Sequence, residues 1–231
     1  MDFIINYNNN DKIDELKDKF NNNNNIVSIP DIFNNEFVEL LFKYSLTEKN
    51  WVLACGIDKV RYENKIVPMN QQKNDLLGVE VNKAFSQNRF SYIFHRTMNN
   101  KTPSLIEQNI RGALESPNFL ELLNNITGMN LTKLSTLFMS KYRSGHFLSP
   151  HSDKGNGKIA FVISLSKDWK PQYGGLLHFL NEDRTQIIET LCPVFNNMVI
   201  FKVDDIEKPH FVSHVAPNVI FNRISISGWF E

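Results

Sequence analysis

The run Arg223-Ile224-Ser225-Ile226-Ser227-Gly228-Trp229-Phe230 alternates between two kinds of side chain with a period of two. Successive side chains of a strand point to opposite faces. Ile224, Ile226 and Gly228 therefore share one face, and Ser225, Ser227 and Trp229 the other, the pattern of a half-buried strand. Working back from this run, further short strand-like stretches lie at 138–142, 159–165, 175–180, 186–191, 198–201 and 211–215, separated by Gly, Pro, Asn and Asp. Close spacing with no helical period between them predicts an antiparallel sandwich or barrel.

Upstream of about residue 135 the texture changes. Residues 12–20 place Ile13, Leu16 and Phe20 on one helical stripe; 34–44 begin with a capping Asn and carry Phe37, Leu40, Leu41 and Tyr44 on one face. Residues 76–85, 104–114 and 117–126 read as further helices, the last closed by Thr127-Gly128, while 26–29, 51–54 and 91–94 are short strand-like runs. The fold class expected is mostly β with N-terminal helices (α+β). The helices need a sheet face to cover, so 1–231 is read as one domain, with 1–134 as helical and irregular support and 135–231 as the β core. The polar stretch 56–74, which carries Pro68, is the natural candidate for a substrate lid.

The 231 residues carry 25 basic and 25 acidic side chains, 42% hydrophobic residues and 12% aromatics. Zero net charge excludes a globally basic nucleic-acid binder and an acidic tail protein. No apolar run approaches the roughly 18 residues of a membrane span, and the start MDFIINYNNNDKIDE lacks the cationic and apolar regions of a signal peptide. Cys55 and Cys192 are too few for a disulfide framework or a Cys-rich zinc site and read as small core residues. A cytoplasmic, intracellular protein is expected, without nucleic acid or membrane as partner; oligomeric state is not readable. The Asn runs 8–10 and 21–25 read as turns or frayed linkers, and the Asn, Lys and Ile usage suggests an AT-rich genome.

His151-Ser152-Asp153 is the chemical centre. In an extended segment, residues i and i+2 face the same way, so one imidazole and one carboxylate can converge on a single ion. A third ligand from a distant strand would complete the two-His, one-carboxylate face that suits iron(II) with open positions. His210 and His214 are the candidates. His210 follows Pro209 in the charged run DDIEKPH and reads as solvent-exposed or substrate-side; His214, nine residues before Arg223, is preferred. Arg223 alone reads as a surface strand cation. Beside the other three residues it reads as a buried guanidinium, which is costly unless it meets an anion, and which can grip a small dicarboxylate by two prongs.

Six blocks carry a resemblance: Y-R-S-G-H-F-L-S-P-H-S-D, F-V-I-S-L-S-K-D-W, Y-G-G-L-L-H-F-L, P-V-F-N-N, S-H-V and R-I-S-I-S-G-W-F, from Tyr142 to Phe230. In order and spacing they resemble the 2-oxoglutarate and iron(II)-dependent oxygenases of the prolyl 4-hydroxylase type. They are most similar to the branch that includes the ribosomal-protein prolyl hydroxylases and their bacterial relatives. The resemblance implies a double-stranded β-helix (jelly-roll) core covered on one face by helices. It implies iron(II) on His151, Asp153 and His214, and Arg223 on the distal carboxylate of 2-oxoglutarate. It also implies Val162, Leu177 and Ala216 as apolar walls of that pocket, although all three read equally as plain core. Where the animal oxygen-sensing members carry a Tyr, this chain has Ser164, which would help directly or through water, unless Tyr142 or another hydroxyl replaces it.

The implied reaction is hydroxylation of an unactivated C–H bond, with O2 and 2-oxoglutarate consumed and succinate and CO2 released. The expected target is a prolyl residue of a peptide or protein, and ascorbate is an expected reducing aid. Arg61, Tyr62 and Arg143 are candidates for the substrate entrance, and His178 for a substrate-side or sheet-surface position. Competing readings are the same chemistry on a small molecule or free amino acid, and a non-catalytic jelly-roll ligand-binding protein.

Overall fold

A computed structural model describes residues 10–48, 50–62, 71–97, 103–204 and 207–231, with backbone only for 71–75. Five helices are seen among them: α1 (Asn10–Asn22), α2 (Asn35–Thr47), α3 (Gln71–Ser86), α4 (Leu105–Leu114) and α5 (Pro117–Thr127). Their starts follow the local chemistry. Asn34 Oδ1 accepts from Phe37 N at 2.8 Å to cap α2, and Ser104 and Glu107 form a reciprocal capping box on α4. Pro117 opens α5 and Gly128, at φ 69°, closes it in the left-handed conformation.

Twelve strands form one continuous antiparallel sheet: β1 (Ile26–Ile29), β2 (Trp51–Ile57), β3 (Val60–Arg61), β4 (Ser91–Thr97), β5 (Leu134–Tyr142), β6 (Phe147–His151), β7 (Ile159–Ser164), β8 (Leu177–Leu180), β9 (Ile187–Leu191), β10 (Met198–Lys202), β11 (His210–Val212) and β12 (Arg223–Phe230). The spatial order is β1-β10-β7-β12-β5-β4-β6-β11-β8-β9, with β2 pairing β3 and β4 off this path. β4 pairs with both β5 and β6, so it bridges the two halves and lets the sheet curl into the expected jelly roll.

The alternation in β12 sorts the two faces as read from sequence. Ile224 and Ile226, with Phe161 and Ile163 of β7 and Ile200 of β10, pack outward against Phe20 of α1, Leu41 of α2, Leu114 of α4 and Phe119 of α5. Helices and barrel thus share one apolar core. The inner face holds a second cluster that includes Tyr142, Ala160, Leu177, Phe179, Phe201 and Val212. A third patch, Leu53, Cys55, Ile93 and Phe147, lies with Val81 and Ala84 of α3. Cys55 is buried and Cys192 partly so, and neither forms a disulfide.

Three elements differ from the sequence reading. β3 and β6 were not among the expected strands, and the expected strand 211–215 is His210–Val212. Of the expected lid, residues 63–70 lie outside the described residues, 56–62 form the end of β2 and the β2–β3 hairpin, and 71–74 begin α3. The second Asn run is an ordered turn after α1, with Asn24 and Asn25 at φ 50° and 55°.

Candidate metal centre and cavity

β6 and β11 are antiparallel neighbours, and their register sets His151 directly opposite His210. Partners across an antiparallel pair point to the same face. Asp153, two residues beyond His151, joins them. His151 Nε2 lies 3.5 Å from Asp153 Oδ1, His210 Nε2 lies 3.5 Å from Asp153 Oδ2, and one ligand atom from each residue falls within 4.8 Å of the others.

The second ring nitrogens explain the orientation. His151 Nδ1 contacts the Ser149 carbonyl at 3.1 Å and His210 Nδ1 the Lys208 carbonyl at 2.8 Å. A carbonyl only accepts, so each neutral ring carries its proton on Nδ1 and presents an Nε2 lone pair to the cluster. Burial, then the neighbouring His151, pushes the His210 pKa down to about 4, with Asp153 opposing, so this imidazole is neutral at pH 7. Two imidazoles that turn Nε2 inward and one carboxylate on one face are a donor set suited to a divalent iron.

His214 is not part of this cluster, which corrects the ligand set expected from sequence. Its ring stacks on Phe147 at 4.0 Å and meets Phe85 of α3 edge-on at 4.6 Å. β11 ends at Val212 after a register shift, so the i+4 relation between the two histidines does not carry a shared face. His210 looked like loop because a proline and several charges precede it. In the structure Leu180 N donates to the Pro209 carbonyl at 2.8 Å, and Pro209 stands just before the strand, a position proline tolerates.

Arg223, the first residue of β12, pairs in register with Tyr142 of β5 and is 3% exposed. Its guanidinium lies 4.9 Å from the Tyr142 ring centre. Nη1 has only a long 3.5 Å contact to Ser225 Oγ, and Nε has no partner. Among the described residues no carboxylate pairs with it. A buried cation without an anion is costly, and the same wall would satisfy it if a carboxylate ligand entered. Burial presses the Arg223 pKa down, while Tyr142 and Cys192 oppose. Burial raises the Tyr142 phenol to about 12 against the pull of Arg223, so it is a neutral hydroxyl.

One cavity of about 650 Å³ is lined by His151, Asp153, His210, Tyr142 and Arg223 together. Val162 and Leu177 line it, as does Arg61 with Asp58 and Lys59 of the β2–β3 hairpin. Other expected positions fall outside its lining. Ser164 ends β7 opposite Ser225 of β12, and its Oγ accepts from Ser166 N at 3.3 Å. Ala216 is held in a turn by the Tyr173 carbonyl, and Tyr62 packs on the patch beneath α3. Arg143 is exposed in the β5–β6 turn. His178 lies across β8 from the cavity, 2.9 Å from Thr190 Oγ1 and stacked on Phe211. The lining also holds residues not singled out from sequence: Arg96, Phe138, Ser140, Asn156, Ser225, Ser227 and Trp229. The period-two run 223–230 carried that signal for Ser225, Ser227 and Trp229, since they alternate in phase with Arg223.

The profile described as "2OG-Fe(II) oxygenase superfamily" matches residues 137–231. Prolyl 3-hydroxylase OGFOD1 of Mus musculus is 32% identical over 117 residues, which cover 48% of this chain and 21% of that protein. Its Xenopus laevis counterpart is 31% identical over 118 residues, covering 49% and 23%. The chain thus matches about a fifth of the length of these curated relatives. Among solved structures, a Pseudomonas putida prolyl-4-hydroxylase superposes with a TM-score of 0.60 at 15% identity, over 95% of this chain and 98% of that one. A Trichoplax adhaerens prolyl hydroxylase, solved with a peptide fragment of the hypoxia inducible factor oxygen degradation domain, gives 0.60 at 14% identity, over 100% and 95%. These structures share the curled sheet with its covering helices. Both histidines of the cluster, Asp153 and Arg223 all lie within the residues 137–231 that match the 2OG-Fe(II) oxygenase superfamily profile.

Proposed function

We propose that the chain is an iron(II)- and 2-oxoglutarate-dependent oxygenase that hydroxylates a prolyl residue of a peptide or protein. The observation that carries this reading is the pairing, in one cavity, of a His-Asp-His donor cluster with a buried guanidinium that meets no carboxylate among the described residues. His151 Nε2, an Asp153 oxygen and His210 Nε2 would hold the metal. An iron(II) held there would activate O2 at the expense of 2-oxoglutarate, giving oxygen insertion into an unactivated C–H bond with succinate and CO2 released.

The residues of the chain do the binding and orienting. Ser149 and Lys208 carbonyls keep both imidazoles in the ligating tautomer. Arg223 neutralises the distal carboxylate of 2-oxoglutarate, and Tyr142, its cross-strand neighbour on the same wall of the cavity, supplies the accompanying hydroxyl in place of Ser164. Val162, Leu177 and Val212 exclude water along the cosubstrate. The peptide enters past the β2–β3 hairpin, where Lys59 and Arg61 stand. The relatives' names, prolyl 3-hydroxylase and prolyl-4-hydroxylase, support a prolyl target and leave the ring carbon to be measured. Ascorbate serves as reductant of the metal. Two cysteines without a disulfide suit a reducing compartment such as the cytoplasm, and no helix among the described residues is long and apolar enough to cross a membrane.

The test is succinate release from 2-oxoglutarate with iron(II), ascorbate and a panel of Pro-containing peptides, followed by amino-acid analysis for 3- or 4-hydroxyproline. Turnover that depends on a peptide and yields hydroxyproline supports the reading. Turnover stimulated only by free amino acids or small molecules replaces the substrate, and no turnover with any of them removes the oxygenase assignment.

A further inference from the structure

Of the two readings of the Asn run 21–25, turn or frayed linker, the structure shows the turn, at residues 23–25. Asn23 Nδ2 donates to Glu189 Oε2 of β9 at 3.2 Å, and the Asn25 carbonyl accepts from Lys202 N of β10 at 3.1 Å. Asn24 and Asn25 both adopt the left-handed backbone, which asparagine tolerates better than most side chains. This conformation turns the Asn24 carbonyl toward the segment before β11, where it accepts from Lys208 Nζ. Lys208 is only 7% exposed, unusual for a lysine, and among the described residues no carboxylate is recorded in an ion pair with it. Its own carbonyl is the acceptor for His210 Nδ1 at 2.8 Å. One residue therefore links the α1–β1 turn at its side chain to a cluster histidine at its backbone.

We propose that Lys208 is a positioning residue for His210: docked on the Asn24 carbonyl, it holds its own carbonyl where His210 Nδ1–H must donate, and so tunes metal affinity. The inference rests on the reading of His210 as a metal ligand. Outer-shell partners of ligating histidines typically change metal affinity by about 10–100-fold when lost. The sign separates positioning from simple electrostatics. Removing a nearby cation lowers repulsion toward a divalent ion and would tighten binding. Losing the dock lets the carbonyl drift and loosens it.

Mn(II) binding to the full chain, without cosubstrate, is followed by electron paramagnetic resonance or calorimetry. Lys208→Met is expected to weaken binding about tenfold or more, and Lys208→Arg, which keeps a donor, to recover most of it. Asn24→Val, which disfavours the left-handed turn, should weaken binding in the same direction while Asn24→Gly does not. That pair decides the matter if Lys208→Met does not fold. Unchanged or tighter binding in Lys208→Met, or in Asn24→Val where that variant stands in, overturns the proposal. Failure of the unaltered chain to bind Mn(II), or undiminished binding in His210→Ala, instead overturns the metal-site reading on which it rests.

Discussion

At His210 the lone pair that faces Asp153 exists because the other ring nitrogen is committed to the Lys208 carbonyl. His214 has no such arrangement; its ring is enclosed between Phe147 and Phe85. Two substitutions therefore separate the two histidines. His210→Ala should abolish both divalent-metal binding and turnover, whereas His214→Ala should leave metal affinity within about twofold and cost stability through lost packing, roughly 1–3 kcal/mol. Calorimetric metal titration of both variants checks this, and equal losses in the two would contradict the ligand set. At Arg223, the charged hydrogen bonds it offers are worth roughly 1.5–3 kcal/mol. Arg223→Met should accordingly raise the KM for 2-oxoglutarate about 10- to 100-fold, with metal binding retained. An unchanged KM would remove Arg223 from the cosubstrate site. Residue by residue, His151, Asp153 and Arg223 were legible because i, i+2 spacing and strand phase are local properties. The choice between His210 and His214 depended on which residue of β11 faces β6, a long-range register that no local pattern encodes.

At the scale of the element, β12 does most to hold the site. It runs between β5 and β7, turns Arg223, Ser225 and Ser227 into the cavity, and turns Ile224 and Ile226 toward the helices. Its one glycine is required by proximity: a Cβ on Gly228 would collide with the Thr136 carbonyl and stand 3.0 Å from the Phe161 ring. Gly228→Ala should destabilise the fold by at least the roughly 1–3 kcal/mol of an overpacked core, read as a lowered urea midpoint. An unchanged midpoint would mean that β5 can move aside. Strands with strong alternation or β-branched runs, such as β7, β10 and β12, and helices with caps, such as α2 and α4, were visible in sequence for the same local reasons. β6 was missed because Pro150, Ser149 and Ser152 interrupt any apolar period; its pairing is imposed by β4 and β11. The Asn run 21–25 read equally as turn or frayed linker because side-chain polarity does not separate the two, whereas its order comes from backbone groups bonded to β10 and Lys208.

At the scale of the whole molecule, the outer face near α3 contains a second pair of histidines whose consequence is for stability. His95 of β4 and His146 of the β5–β6 turn stack with ring centres 5.2 Å apart, and the Nδ1 of each is buried without a partner. Burial, then His146, Arg143 and Lys141, presses the His95 pKa down to about 3. Burial and then Arg143, with Lys141 adding to it, press His146 down to about 4, opposed by a hydrogen bond to the Lys141 backbone. Glu48 is the acid whose charge reaches Lys141. In the unfolded chain both imidazoles return to the ordinary value of 6.5. Between that value and the folded ones the unfolded state binds more protons, so stability rises with pH. The contribution is fully present above 6.5 and is lost as pH falls toward 4 and then 3. His210, held down by its own burial, adds to the same slope. With divalent metal chelated, the urea midpoint should therefore fall between about pH 7 and pH 5. His95→Phe, which keeps a ring against His146 and removes one titrating group and one orphaned nitrogen, should flatten that fall. A midpoint equal at both pH values, or a His95→Phe variant as acid-sensitive as its parent, would show that these rings reach solvent and titrate freely in the folded protein.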